Sequence, residues 1–410
     1  MKSKLPLIIR DSVHGDIELW EQIAVNLINS QEFQRLRRIN QLGGGQFIFP
    51  SASHTRFTHC IGVYHLISEI LKTKSFQENY PNPRQQLLVK LAGLLHDIGH
   101  GPFSHTFEMV NYVNKANISH EEYSALIIKS PITQVNQILK QELTDEEIAE
   151  LCLMIEGKHP DKVLSSLVSS QIDADRMDYL LRDGKNSGVE YSHLDVQWII
   201  RHIDIKDHKI VFPQKTQYAI ESYLIGRYHM YKQIYLHPLS IGFDLTFKMF
   251  FQRLYDLYHA GFQFKNNDII DLLKPLLEGK QMTAIAYCQL DDYTFFTYIK
   301  MLSNEEDEIL QKLITMLTNR NFLRQIDAKR TDLEEIKKNL AKKYKNYYNY
   351  FMVEFELKQV KLYDGEKKPI FIQVNTDIKN LNEISEIFLA NSDKKLHGSI
   401  SYYTVNDVLK

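Results

Sequence analysis

His96 and Asp97 end a run, Leu91 to Leu95, that is otherwise leucine, alanine and glycine. A carboxylate carried into so apolar a helix is costly unless it is paired. Adjacent imidazole and carboxylate groups can ligate one divalent cation while the helix holds them rigidly. The run continues through His100 to His105, so three histidines fall within ten residues. Upstream, Ser53 to His59 contains His54, Arg56 and His59; downstream, Ile172 to Tyr179 contains Asp173, Asp175, Arg176 and Asp178. Both segments combine metal-ligand types with cations suited to phosphate oxygens. Ligation by His59, His96, Asp97 and Asp175 leaves Arg56 and Arg176 to neutralise phosphate, and leaves His105 and His120 to move protons. The expected chemistry is metal-assisted phosphoryl hydrolysis. Mixed imidazole and carboxylate ligands suit magnesium, manganese, iron, nickel or zinc.

These residues need rigid supports, and the apolar periodicity supplies helices. Phe33, Leu36 and Ile39 have helical spacing within Asp11 to Leu42, and Gly43 to Gly45 stops that helix. A second helix is expected over Phe57 to Lys72. Pro81 to Pro83 reads as a loop, followed by a strongly apolar helix that ends near Gly99. Ser119 with Glu122 forms a capping-box pattern that puts His120 in the first turn of a helix, and Thr144 with Glu147 repeats it. His202 to Phe212 alternates around Asp207 and His208 as a hairpin, and helical pattern resumes from Gln217 to Tyr258. Met352 to Val374 reads as a second hairpin turning at Asp364 and Gly365, with Gly398 to Val405 as a further strand.

The 410 residues exceed one core of ordinary size. A catalytic body over residues 1–260 and a smaller α+β lobe over 261–410 are expected, with the lobe contributing to an oligomeric and regulatory surface. Apolar residues make up 44% of the chain and charged residues 24%, which are globular values. A net charge of −2 argues against a chain-wide commitment to nucleic acid or anionic membrane. Cys60, Cys152 and Cys288 lie far apart, so neither a disulfide framework nor a thiolate zinc site is indicated. No apolar signal core follows Met1 and no run approaches membrane-spanning length, so a cytoplasmic protein is expected.

Taken together, His59, the His96–Asp97 doublet and the distant Asp175 resemble the HD superfamily, in which such a quartet ligates metal. The segments Phe33 to Arg37, Gln41 to Gly45, Phe49 to Phe57, His96 to Phe107, Ser119 to Glu121, Asp173 to Asp183 and Arg227 to His237 are more specifically similar to its deoxynucleoside triphosphate triphosphohydrolases. The resemblance covers roughly the first 240 residues. It implies a mainly α fold with an HD-type helical core and small β-hairpins, and attack by water at the α-phosphorus of a dNTP, releasing deoxynucleoside and inorganic triphosphate. Arg56, Arg176 and Arg227 then match phosphate clamps. His105 matches the general acid for the leaving 5′-oxygen and His120 its neighbour, while His100 faces the α-phosphate and Glu121 orients His120. Gln41, Leu42, Tyr179 and Asp183 match residues around the deoxyribose. Tyr235, eight residues after Arg227, matches a tyrosine that leaves no room for a 2′-hydroxyl.

The same resemblance implies a homotetramer whose interfaces bind an activating nucleotide such as GTP or dGTP, with Ile8, Arg10, Gln34 and Arg37 at the regulatory positions. The lysines from Lys337 to Lys345, interleaved with Tyr344, Tyr347 and Tyr348, have the composition of a nucleic-acid surface. A solvated helix face capped by Thr331 and Glu334 also accounts for them. Two other readings stand beside the dNTPase. One is an HD phosphohydrolase acting on nucleoside monophosphates, signalling nucleotides or single-stranded nucleic acid. The other is a catalytically idle nucleotide- or nucleic-acid-binding scaffold.

Overall fold

The computed structural model describes residues 5–357, 361–389 and 399–408. It is mainly helical, with three small sheets. Four helices carry the site: α1 (Arg56–Leu71), α2 (Pro83–Leu95), α3 (His120–Lys129) and α4 (Ala174–Ser187). Helix α1 is buried nearly all round, and α2 and α4 pack against it. Asn82 caps α2 through Arg84 N, and Pro83 occupies its first turn, where a missing N–H costs nothing. The expected loop at Pro81 to Pro83 is therefore a helix start. Leu91, Leu94 and Leu95 are fully buried, each worth about 1.5–3 kcal/mol, so the end of α2 is anchored where the His-Asp doublet begins.

Both expected capping boxes form, at Ser119–Glu122 and Thr144–Glu147. Helix α4 starts at the Asp173 cap and stops at Gly188, whose φ of +76° suits a left-handed C-terminus. The helical pattern expected from Gln217 is found as α5 (Gln217–Met230) and α6 (Pro238–His259), joined through a π-helical turn over Tyr231–Tyr235.

The first forty residues depart from the helical reading. Strands β1 (Leu7–Asp11) and β2 (Gly15–Leu19) form an antiparallel hairpin. Two short helices, Gln22–Ile28 and Gln31–Arg35, and a 3-10 turn at Leu36–Arg38 follow. Phe33, Leu36 and Ile39 are buried as their spacing requires, but Ile39 is already extended. Gly43 to Gly45 begin a 3-10 turn of their own rather than ending a helix.

The hairpin expected around Asp207 and His208 is present as β3 (Asp204–Lys206) and β4 (Lys209–Pro213), and both turn residues have positive φ. The tail pairs differently from expectation. Strand β5 (Arg324–Ile326) and β6 (Met352–Leu357) flank β9 (Ser399–Thr404), whereas β7 (Phe371–Val374) lies between β4 and β8 (Asp377–Asn380). Strands β6 and β7 thus belong to different sheets, β6 pairing with β9 and β7 with the distant β4. Gly398 lies outside the described residues, as do Met1 to Lys4. The lysine-rich helix Leu333–Tyr344 is capped by Asp332, not Thr331.

The boundary expected near residue 260 falls at the end of α6. The parallel β4–β7 pair and one hydrophobic cluster running from Ile17 to Val405 tie the two parts together.

Candidate metal centre and active site

The first turn of α1, the end of α2 and the first turn of α4 converge on His59, His96, Asp97 and Asp175. His59 Nε2 lies 3.1 Å from Asp175 Oδ1 and 3.5 Å from Asp97 Oδ2. His96 Nε2 lies 3.2 Å from Asp97 Oδ1 and 3.6 Å from Asp175 Oδ1. Neither Nε2 has a hydrogen-bond partner of acceptable geometry, and both are buried.

The opposite ring nitrogens explain this. His59 Nδ1 sits 2.8 Å from the Asp178 carboxylate and His96 Nδ1 2.9 Å from Gly93 O. Both partners only accept, so each Nδ1 carries the proton and each neutral ring turns its Nε2 lone pair inward. Two orphaned lone pairs facing two carboxylates are a donor set that fits a divalent cation. His59, His96 and Asp175 offer ligand atoms within 4.8 Å of one another. Burial pulls the His59 pKa down, but the neighbouring carboxylates of Asp175, Asp178 and Asp97 raise it to about 10. Without a cation, the surplus carboxylate charge recruits a proton instead.

Asp178, to which the sequence reading gives no role, organises the far side. Its carboxylate receives His59 Nδ1, lies 2.7 Å from His14 Nε2 and accepts two bonds from Arg182 at 2.8 Å. Arg182 continues to Asp11. Burial opposes the charge on Asp178, yet Arg182, His14 and His59 hold its pKa well below the usual range. Gly62 makes room for it, since a Cβ there would stand 1.8 Å from Asp178 Oδ1. The signal was local in part: Asp175 and Asp178 are three residues apart on one helix face. His14 and Arg182, however, reach Asp178 and Asp11 through the fold.

A cavity of about 360 Å³ opens beside the quartet. Arg56 bonds to Asp97 and donates through Nε to Ser104 Oγ at 2.9 Å; Arg176 is held by Asp173. Both arginines line the cavity, as do Gln41 and Leu42. Arg227 does not line it; its guanidinium lies 5.6 Å from the Tyr231 ring, which does. Tyr235 donates to Asp183 Oδ2 at 2.7 Å, and His54 Nε2 lies 2.6 Å from Asp183 Oδ1. The Tyr179 and Tyr235 rings stand edge to face at 6.0 Å.

His100, His105 and His120 cluster on the other wall. The rings of His100 and His120 stack at 3.9 Å, and His105 stands 5.1 Å from His100. Glu108, absent from the sequence reading, receives both His105 Nδ1 at 3.1 Å and His120 Nδ1 at 2.8 Å. Glu121 lies 3.3 Å from His120 Nε2, so the principal orienting carboxylate is Glu108 rather than Glu121. Burial lowers the His120 pKa, but Glu108 and then Glu121 leave it raised. Burial, Arg56 and His120 hold His100 well below its usual value, so it remains a neutral imidazole.

The loop between His100 and His105 includes Phe103 and Ser104 in left-handed backbone, φ 58° and 54°, a conformation costing about 1–2 kcal/mol for each side-chain-bearing residue. Asp292 holds it there. One carboxylate oxygen accepts Phe103 N at 2.6 Å, and the other accepts Asn40 N and Nδ2 at 2.9 Å. Gly99 lets α3 dock on the same segment, since a Cβ would meet His120 O at 2.2 Å.

The four positions matched to a regulatory nucleotide lie elsewhere. Ile8 and Arg10 are exposed on β1, with Arg10 paired to Asp16. Gln34 donates to Ile28 O, and Arg37 donates to Gln34 while lying 3.6 Å over the Phe57 ring. No hydrogen bond or ion pair among the described residues joins the two pairs. Among these residues, no helix is long and apolar enough to cross a membrane.

The HD domain family matches residues 56–183, the span from Arg56 to Asp183. The uncharacterized protein YwfO of Bacillus subtilis is 34% identical over 322 residues, 78% of this chain and 72% of that protein. A protein of Dictyostelium discoideum named deoxynucleoside triphosphate triphosphohydrolase SAMHD1 homolog is 30% identical over 78% of this chain and 60% of its own length. The crystal structure of a phosphohydrolase from Bacteroides thetaiotaomicron superposes with a TM-score of 0.84 at 28% identity, covering 98% of this chain and all of that one. With its quartet on three helices of the shared fold, the chain belongs to the HD-domain family of metal-dependent phosphohydrolases.

Proposed function

We propose that this protein hydrolyses deoxynucleoside triphosphates to deoxynucleosides and inorganic triphosphate. The observation that carries the reading is the juxtaposition, around one cavity, of Asp97 and Asp175 from the quartet, two arginines and the Tyr235–Asp183 pair. The named activity of the Dictyostelium relative supports it. His59, His96, Asp97 and Asp175 would hold a divalent cation, which would supply Lewis acidity and lower the pKa of water. Arg56 and Arg176 offset the triphosphate charge. His105, the most exposed of the histidines on the cavity wall, gives its proton to the leaving 5′-oxygen, and Glu108 fixes its ring. Neutral His100 donates a hydrogen bond without adding charge. Tyr235, locked by Asp183, packs where a 2′-hydroxyl would project, so ribonucleotides lose by collision.

Each dNTP and NTP is incubated with the manganese-loaded protein and the products are resolved. Intact triphosphate released from dNTPs alone is the expected result. Orthophosphate, pyrophosphate or hydrolysis of monophosphates would point to a different HD phosphohydrolase. We also propose a homotetramer with a nucleotide-responsive surface at Ile8, Arg10, Gln34 and Arg37, the positions matched by resemblance. Light scattering with and without GTP or dGTP tests it, a mass insensitive to both and equal to one chain being the contrary result.

A further inference from the structure

A second cavity, of about 390 Å³, lies between the helix Lys162–Val168, the β3–β4 hairpin and the segment leading into β7. Its wall shares no residue with that of the catalytic cavity. Four lysines converge on it from three parts of the chain: Lys162, Lys209, Lys367 and Lys368. None forms an ion pair with a carboxylate among the described residues, although Lys368 feels the charge of a buried one, Asp173. Lys162 reaches only the His159 carbonyl, and Lys209 lies 5.0 Å over the Phe371 ring. Elsewhere lysines are commonly paired, as in Lys72–Glu69, Lys90–Glu21 and Lys343–Asp407.

The cavity wall contains no aspartate or glutamate. Of the nearby acids, Asp161 caps its helix and accepts from Tyr80, Asp173 holds Arg176 and Asp364 pairs with Lys361, while Asp207 and Glu366, close to Lys209 and Lys367 in sequence, lie outside the wall. In a chain of net charge −2, four unmatched ammonium groups around one concavity focus a positive field. Ser165 and Ser169 add hydroxyls with no hydrogen-bond partner among the described residues. Ile172, Phe212 and Phe371 add apolar wall, and the volume suits a small ligand.

We propose that this cavity is a second binding site, for a phosphorylated small ligand whose polyphosphate is read by the four lysines. A nucleotide and an inorganic polyphosphate share that chemistry. The proposal does not rest on the dNTPase reading. Its occupancy would be felt at the catalytic helix, because the wall residue Ser170 donates its backbone N–H to Asp173 at 2.6 Å. Asp173 in turn caps α4 and holds Arg176. The wall residue Gln171 also donates to the Lys368 carbonyl, tying the lysine-bearing segment to the same strand of chain.

The test is equilibrium dialysis of the full chain at low ionic strength with chelator, using inorganic tripolyphosphate, ATP and dATP as probes. The His96→Ala/Asp97→Ala chain should keep one bound equivalent. Adding Lys209→Glu and Lys367→Glu, both exposed, should weaken it at least tenfold. Affinity for ATP or dATP at least tenfold above tripolyphosphate assigns a nucleotide; equal affinity assigns the phosphate chain alone. On the unmutated protein, tripolyphosphate should protect Lys162, Lys209, Lys367 and Lys368 from acetylation, read by mass spectrometry, relative to Lys338 and Lys342. Equal acetylation with and without probe, or charge reversal that leaves affinity within twofold, overturns the site. Turnover enters neither readout, so failure of the dNTPase reading would leave this result standing.

Discussion

The two walls of the catalytic cavity are built on different principles. At the quartet, every imidazole is backed: Asp178 and Gly93 O fix His59 and His96, and Arg182, His14 and Asp11 fix Asp178 in turn. All of this is buried. At the histidine trio, one carboxylate, Glu108, serves two rings, His105 is two-thirds exposed, and the intervening loop is held in left-handed backbone by Asp292. Metal affinity demands fixed lone pairs, so the first wall is rigid. Proton transfer to a substrate that enters and leaves demands reach, so the second is open at the cavity mouth. The contrast predicts that damage to the two walls separates metal binding from turnover.

The largest expected effect falls on the open wall. His105→Asn should lower kcat by about 10²–10⁴-fold while metal content, measured by plasma emission, stays at the wild-type value. Parallel loss of metal would break the distinction. Next, Asp178→Asn should weaken manganese binding by about 10–100-fold, because the His59 ring loses its anionic acceptor and Arg182 its partner. Calorimetric titration of the chelated protein checks this, and unchanged affinity would mean that His59 needs no backing.

Glu108→Gln should have a smaller effect, roughly tenfold on kcat if the rings merely lose alignment. Its pH profile is more telling. Glu108 helps to keep His120 raised, so removing its charge lowers that pKa. Protonated His120 is then lost at lower pH, and the titration midpoint of its imidazole, read by NMR, should move toward acid. A midpoint that stays in place would deny Glu108 an electrostatic role. Smallest of all, Tyr235→Phe removes one hydrogen bond to Asp183, worth about 0.5–1.5 kcal/mol. A several-fold rise in KM for dNTPs, with metal affinity unchanged, is the expected signature.

The doublet of the rigid wall was legible in the sequence because it ends an apolar helix, and the capping boxes at Ser119, which sets His120 on the open wall, and Thr144 were legible because they too are local. The hairpin at Asp207 and His208 was legible for the same reason. What escaped was set by tertiary packing. His14 meets Asp178 across 164 positions, and Asp292 meets Phe103 across 189. No periodicity relates such pairs. Glu108 is only three residues from His105, yet its pairing with both histidines depends on how α3 docks at Gly99. The β1–β2 hairpin was hidden by short alternation beside a helical run, and β6 and β7 were read as partners because sequence neighbours usually are.

The central claim is that the four side chains hold one divalent cation, and metal stoichiometry tests it most directly. After chelation, reloading with manganese and gel filtration, the unmutated chain should carry one equivalent. His59→Ala, His96→Ala, Asp97→Ala and Asp175→Ala, each shown to be folded by circular dichroism, should each carry far less than one. Full occupancy in any of those four folded variants would contradict the account.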